Sequence, residues 1–572
     1  PMPSRPWLSH YDPGVPPSLA PYPDRTLVDY LAETARDHPE KPALLFKGRT
    51  IGYGELERES DRFAASLVAM GVKPGDRVAI CLPNCPQFMI AEYGAWKARA
   101  ITAPVNPTYT EKEMEEALNA AGASTLVVLN RLYDHVKKAQ PKTGVRTVIA
   151  TGIKDYLPGL LRILYGLLKE RKDGERITLR DGDRRFMDVI RQGATLRPPA
   201  ERPRPADNAT ILMSGGTTGT PKGVLGTHRN MMISGVQLAT WLKPVLNEWT
   251  DIIMLPLPLF HTYGNTGVQS LAAVTHNPIA LIPNPRDLPD LLKSINKMRP
   301  AFICAVPTLL NAILNHELTR AGKINFRSIK LCFCGAAALL VETKRRFEEI
   351  TGGIILEGYS LTEAQMAVIA NPAKGEKKTG SIGVPLPDID VRILDSDDGR
   401  TEMPLGEVGE IVVSAPQLML GYVNRPEETK EILREGPGGQ KMLYTGDLAY
   451  MDKDGYIFIV DRKKDLIKAS GFQVWPREVE EVIASHPAVA EVGVAGIPDP
   501  GKGELVKAWI ITRPGMSTNR DEIRAYCRER LAPYKCPSEV DIVPDLPKSM
   551  VGKVLRRVLR ERDAKQTAGA AR

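Results

Sequence analysis

Ser214-Gly-Gly-Thr-Thr-Gly-Thr-Pro-Lys-Gly223 decides how the rest of the chain is read. Four glycines, three threonines and a serine in ten positions give a core almost nothing to bury, but they present backbone N–H groups and hydroxyls to a phosphate chain. The apolar run from Ala209 to Met213 predicts a buried strand, and a helical pattern begins near Asn230. The loop therefore leaves a strand end, where phosphates are commonly held. It is not the common phosphate loop, in which G-x-x-x-x-G-K is followed by Ser or Thr, because Lys222 follows Pro221 and precedes Gly223.

Outward from that loop the chain alternates between helix and strand. On the N-terminal side the pattern predicts helices over 53–70, stopping at Gly71, and over 87–98 and 111–120, with strands over 77–82, 101–105 and 125–129. On the other side apolar strands recur near 252–255, 279–282, 302–306, 329–333 and 354–356, separated by helical stretches such as 288–298. From 380 to 460 the texture changes to turns and short alternating strands. Beyond the charged run Asp461 to Asp465, Pro476 opens a helix, strands follow near 489–494 and 507–511, then a helix over 521–531 and a basic helix after Lys553. The expected fold is α/β. A large N-terminal domain (1–460) holds two layered α/β units and a small β-rich unit, and a hinge (461–464) leads to a small, mobile α+β C-terminal domain (465–572).

Composition narrows the class. At 572 residues and 43% hydrophobic content the chain has material for more than one core, which excludes a single helix or a disordered tail. The formal charge of +8 is spread among 68 acidic residues without a nucleic-acid motif, so small polyanions or an anionic lipid surface suit it better than nucleic acid. Seven cysteines without paired or zinc spacing read as core thiols. The proline-rich start has no continuous apolar region, so the expected location is cytoplasmic, with peripheral attachment to the inner membrane face as the variant.

Further motifs occur in a fixed order: Phe260-His-Thr-Tyr-Gly264, Gly335-Ala-Ala-Ala338, Gly358-Tyr-Ser-Leu-Thr-Glu363, Tyr444-Thr-Gly-Asp447, Asp461-Arg-Lys-Lys-Asp465 with Gly471, and Pro547-Lys-Ser-Met-Val-Gly-Lys553. Together with the 214–223 loop they span nearly the whole chain. The set resembles the adenylate-forming superfamily, which contains acyl-CoA synthetases, luciferases and peptide-synthetase adenylation domains. The 359–363 motif, the 461–476 segment and the N-terminal Trp-Leu-Ser-His-Tyr-Asp-Pro-Gly-Val-Pro are most similar to bacterial long-chain fatty-acid CoA ligases.

The resemblance implies ATP, Mg2+ and coenzyme A as reactants and assigns the site residue by residue. Ser214, Gly215, Gly216, Thr217, Thr218, Gly219, Thr220 and Lys222 would hold the β- and γ-phosphates. Gly335, Ala336 and Ala337 would flank adenine, although the family often has Pro where Ala338 stands. Tyr359 would stack on adenine with Ser360 beside it, Thr362 would meet the α-phosphate, and Glu363 would bind Mg2+, a hard cation that prefers oxygen ligands. Asp447 would accept from both ribose hydroxyls, with Arg462 nearby. Lys553 would stabilise charge building at the α-phosphate. Lys464 would be the hinge, and Ser470 and Gly471 would line the pantetheine tunnel once the small domain has swung. His261 would gate an acyl tunnel, with Gly264 and Gly267 either leaving room for a chain or serving close packing.

The reaction this implies is ATP-dependent activation of a long-chain fatty acid to an acyl-adenylate, then transfer to CoA. Three rivals share the motifs: an acyl-AMP ligase loading a carrier protein, a ligase for medium-chain or aryl acids, and a catalytically silent nucleotide- or lipid-binding protein. The expected partners are fatty acid, ATP and CoA, and a homodimer is considered with them. Leu157, Leu160, Leu161, Leu164, Leu167 and Leu168 share one helical face beside Lys169, Arg171 and Lys172. Such a face either packs on its own domain, the commoner arrangement, or lies on a lipid surface; twelve residues do not span a bilayer.

Overall fold

The computed structural model describes residues 5–214, 221–335, 339, 341–469, 472–499, 503–549 and 552–570. Two large sheets organise the first 460 residues. One has eight strands in the order Gly421–Tyr422, Lys222–Thr227, Asn208–Ser214, Ile101–Pro104, Arg77–Cys81, Thr125–Leu129, Thr147–Thr151 and Arg184–Arg185. The other has nine strands, with a parallel centre that runs through Ile279–Leu281, Ile253–Leu255, Phe302–Ala305, Leu331–Cys334 and Ile354–Leu361. The parallel strands are buried on both faces, as their continuous apolar sequences require.

Local signals act where the sequence places them. The helix Tyr53–Ala69 stops at Met70, and Gly71 takes a φ of +88°, which only glycine adopts without strain. Thr110 and Glu113 close a capping box at the start of Glu111–Ala121. Trp96, in the helix Pro86–Lys97, donates its indole N–H to the carbonyl of Ala209 at 2.9 Å and so ties that helix to the first turn of the Asn208–Ser214 strand.

A third, antiparallel sheet follows, built from Asp390–Leu394, Gly409–Ser414, Lys441–Met451, Leu433–Glu435 and Ile457–Arg462. Gly383 joins it to the nine-stranded sheet, bridging to Ile457 at a φ of +102°, where a Cβ would lie 2.0 Å from the Ala370 carbonyl carbon. The last sheet, Phe472–Val474, Ile467–Ala469, Gly503–Thr512 and Val489–Asp499 with Glu539–Ile542, carries the helices Pro476–Ala484, Arg520–Arg528 and Arg556–Ala570. All seven cysteines are unpaired thiols, six of them buried, in keeping with a core role.

Three features differ from the sequence reading. The glycine-rich loop leads into a second strand, Lys222–Thr227, which pairs antiparallel with Asn208–Ser214 before the helix His228–Leu242 begins. It is therefore a hairpin loop, and Ser214 sits directly opposite Lys222. Second, Ile354–Leu361 continues through Tyr359 and Ser360 and folds back onto Met366–Ala370, with a register shift at Tyr359/Ser360. Third, the helix Gly159–Leu168 lays only Tyr165 against the core and turns its leucines outward: Leu160, Leu167 and Leu168 are 71%, 78% and 72% exposed, while Leu157, before the helix, is buried and not part of that face. Among the described residues no helix is long and apolar enough to cross a membrane.

Candidate active site

The Ile354–Leu361 strand delivers Tyr359 to the third sheet. Its hydroxyl donates to Oδ2 of Asp447 at 2.6 Å, and Nε of Arg462 lies 3.1 Å from Oδ1. Asp447 and Arg462 face each other across the Lys441–Met451 and Ile457–Arg462 strands, so backbone register brings the ion pair together. Burial, then the charge of Asp447, pushes the Tyr359 phenol well above its ordinary range and keeps it a donor. Tyr359, Ser360, Asp447, Arg462, Gly552 and Lys553 share the lining of a cavity of about 360 Å³.

On the opposite flank, Gly421–Tyr422 adds an antiparallel strand to Lys222–Thr227. This brings Lys222 to Tyr422 and Glu428, about two hundred residues further along the chain, and Tyr422 to Glu363. The ammonium of Lys222 lies over the Tyr422 ring at 5.1 Å and pairs with Oε2 of Glu428 at 2.5 Å, while the Tyr422 hydroxyl donates to Oε1 of Glu363 at 2.7 Å. Arg425 shares Glu428 at 2.6 Å. Glu363 and Thr362 lie in the tight turn between Ile354–Leu361 and Met366–Ala370, where Gln365 and Met366 take φ of +54° and +122°. The second oxygen of Glu363 has no partner among the described residues. No cluster of three metal-ligating side chains occurs among those residues. One carboxylate with an unoccupied oxygen fits Mg2+, which keeps several waters and takes the rest of its oxygens from phosphates.

Lys553 enters the cavity from the far end of the chain. Gly552 before it has a φ of +73°, and a Cβ there would meet Oγ1 of Thr308 at 2.3 Å, so the glycine allows the loop to seat against the helix Pro307–Asn315. Burial, then the neighbouring Arg462, pulls the Lys553 ammonium down to about 8 against the opposing charge of Asp447. Lys464 is drawn down to about 8 by the same pair of causes. Gly335 lies against the carbonyl of Gly358, beside Tyr359.

His261, Gly264 and Gly267 sit behind the Tyr359 motif, at and within the π-helix Tyr263–Gln269. His261 is half-buried, and burial lowers its imidazole to about 4, leaving it neutral near pH 7. Both glycines serve close packing: a Cβ at Gly264 would strike the Pro258 carbonyl at 2.4 Å, and one at Gly267 the Met366 side chain at 2.8 Å. Gly215, Gly216, Thr217, Thr218, Gly219, Thr220, Ala336, Ala337, Ser470 and Gly471 lie outside the described residues. Tyr422, Glu428 and Thr308 went unnoticed in the sequence. Only strand register and lobe contact bring them to the site, and neither leaves a local pattern.

Two lobes that meet beside a buried acid, with one half-buried lysine on the Lys222–Thr227 strand and another from the C-terminal end of the chain, fit a nucleotide-dependent, acid-activating class of enzyme. The family description "AMP-binding enzyme" matches residues 31–423, and "AMP-binding enzyme C-terminal domain" matches 478–553. The long-chain-fatty-acid–CoA ligase of Bacillus subtilis is 39% identical over 98% of both chains. A solved anthranilate CoA ligase in complex with anthranoyl-AMP superposes with a TM-score of 0.82 at 25% identity, covering 96% of this chain and 98% of its own. ATP-bound MatB from Rhodopseudomonas palustris gives 0.78 at 28% identity, covering 94% and 98%. The chain belongs to the AMP-binding enzyme family.

Replacing Tyr359 by Phe leaves Oδ2 of buried Asp447 without its donor. The expected cost is about 1–3 kcal/mol in urea unfolding of the ligand-free protein. Stability equal to wild type would show that this bond does not hold the acid.

Proposed function

We propose that the protein is an AMP-forming ligase that activates a long-chain fatty acid with ATP and passes the acyl group to coenzyme A. The observation that carries this reading is the burial of Lys553, from the C-terminal lobe, in the cavity that Tyr359, Asp447 and Arg462 line. The similarity over nearly the full length to a long-chain-fatty-acid–CoA ligase supports the acid class.

In the first step a carboxylate oxygen attacks the α-phosphorus of ATP. The bond to the β-phosphate bridging oxygen breaks, and pyrophosphate departs with the electron pair. Two anions must meet, so the site supplies positive charge and fixes the line of approach. Asp447 takes the ribose hydroxyls, Tyr359 packs against adenine with Gly335 behind it, and Ser214 and Lys222 flank the loop that holds the β- and γ-phosphates. Lys222 exchanges Glu428 for the phosphates. Thr362 meets the α-phosphate, and Glu363, oriented by Tyr422, offers an oxygen to Mg2+, which neutralises phosphate charge when bound. Lys553 stabilises the pentavalent phosphorus. In the second step the small lobe (465–572) turns about Lys464 within the 461–464 hinge. The CoA thiolate then attacks the acyl carbon, giving acyl-CoA and AMP. His261 and the π-helix that carries Gly264 and Gly267 form the wall behind the carboxyl group.

The exposed helix Gly159–Leu168 gives the protein a lipid-facing surface. Ten residues make a rod of about 15 Å. It presents Leu160, Ile163, Leu164, Leu167 and Leu168 to solvent, with exposed Arg162, Lys169, Arg171 and Lys172 around them. Each leucine gains about 1.5–3 kcal/mol on full burial, and the cations add attraction to anionic headgroups. We place this face in the interfacial region of a membrane as a peripheral contact.

Lys553→Ala should slow acyl-adenylate formation by about 10²–10³-fold while leaving thioester formation from supplied acyl-adenylate near wild type. Because the ammonium is the active form, wild-type adenylation should decline as pH rises through about 8. Unimpaired adenylation by the variant would remove Lys553 from the mechanism. For the lipid contact, wild type should float with anionic phosphatidylglycerol vesicles and Leu160→Asp/Leu167→Asp should stay behind. Equal flotation would end the membrane reading.

A further inference from the structure

Three residues after Lys553, Arg556 opens the helix Arg556–Ala570 inside a socket of three carboxylates. Its Nη1 lies 2.9 Å from Oδ1 of Asp461 and 3.1 Å from Oδ2 of Asp465, while Nη2 and Nε reach the two oxygens of Glu480 at 2.8 and 3.2 Å. All four side chains are largely withdrawn from solvent, Asp461 to 2% exposure. These partners come from different structures. Asp461 belongs to Ile457–Arg462, the strand paired with the one that bears Asp447. Asp465 ends the short turn Lys463–Asp465, and Glu480 is on the helix Pro476–Ala484.

Asp461 is the joint. Besides Arg556 it accepts from the backbone N–H of Arg462 at 2.7 Å, on its own strand, and from that of Arg477 at 2.7 Å, in the small lobe. The Lys553 loop itself is braced by short bonds. The N–H of Ser549 donates to the carbonyl of Lys553, that of Lys553 to the Ser549 hydroxyl, and that of Leu555 to the carbonyl of Pro547. Lys548 also pairs with Glu491, and Val554 packs against Gly493, both on the small-lobe strand Val489–Asp499, so the loop travels with that lobe. What fixes it to the large lobe is Gly552 on Thr308 at one end and Arg556 on Asp461 at the other.

We propose that Arg556 is a positioning residue for Lys553, and that its pair with Asp461 is the latch holding the two lobes in the arrangement that performs adenylation. This rests on the role given to Lys553 above. A guanidinium suits the place because its planar fork spreads N–H donors at fixed angles over a wider reach than the point charge of an ammonium, with two of them on Glu480 and Nη1 shared by Asp461 and Asp465. Its charge also reaches Lys553, whose surroundings hold Arg462, Asp447, Arg556 and Asp465. When the small lobe turns about Lys464, Asp461 on one side of that residue and Arg556 on the other part company. The latch therefore serves the first half-reaction and is dispensable in the second.

The test compares full-length wild type with Lys553→Ala, Arg556→Gln, Arg556→Lys and Asp461→Asn, using hexadecanoate. Each is assayed for pyrophosphate release on adenylation and for thioester formation from synthetic hexadecanoyl-adenylate and CoA. Asp461→Asn and Arg556→Gln should lose tenfold or more in adenylation and stay within twofold of wild type in thioester formation. Retention of the second activity shows that the variants are folded. In Arg556→Gln the alkaline limb of the adenylation profile should move upward, because a cation has left the surroundings of Lys553. In Arg556→Lys the limb should stay near that of wild type while adenylation remains slow, since the charge persists without the fork. Equal loss in both steps, or normal adenylation by Arg556→Gln, would overturn the latch. Normal adenylation by Lys553→Ala would instead overturn the reading beneath it, and an inactive Lys553→Ala beside unimpaired Arg556 and Asp461 variants would sink the latch alone.

Discussion

A carboxylate and a triphosphate repel one another, so the proposed reaction needs cations, and the fold carries Lys222, Arg462 and Lys553 to the region of the site from separate parts of the chain. Two unit charges 4 Å apart interact by about 4 kcal/mol at an effective dielectric of 20, so the sign of each group lining the cavity matters. Lys222 arrives on a hairpin of the eight-stranded sheet, Arg462 on the third sheet and Lys553 on the small lobe. Burial costs Lys553 and Lys464 part of their affinity for a proton and draws both toward 8.

Carboxylates keep this assembly in order. Asp447 is fixed at both oxygens, by Tyr359 and by Arg462, so its orientation precedes any ligand. Glu428 occupies Lys222, and Tyr422 links that lysine to Glu363, so the loop and the acid share one support. Asp461 performs the same service between lobes. Asp447 and Asp461 belong to strands and Glu428 to the helix Pro426–Ile432, so each acid is carried by a regular element.

Much of this was legible in the sequence where the signal is local. The strand over 125–129 and the stop at Gly71 follow from apolar runs and a left-handed glycine, and the ordered motifs carried the family. Contacts made by register were not legible. The second strand of the 214–223 hairpin is interrupted by glycines that mask its alternation, and Tyr359 and Ser360 read as a loop because the bulge breaks the period-two pattern. Gly264 and Gly267 left open whether absent Cβ atoms make room for ligand or for neighbouring residues, and Pro258 and Met366 fill that space. The leucines of Gly159–Leu168 show the same limit from another side. A helical period announces an apolar face but not the medium that covers it, and here the leucines stay exposed among the described residues.

The central claim is that a carboxyl oxygen of the fatty acid displaces pyrophosphate at the α-phosphorus. Hexadecanoate labelled with 18O in its carboxyl group, turned over with ATP and CoA, tests it directly. The account predicts that one labelled oxygen leaves in the phosphate of AMP when the thiolate captures the acyl group. Label in ADP or inorganic phosphate, or AMP free of label, would contradict it.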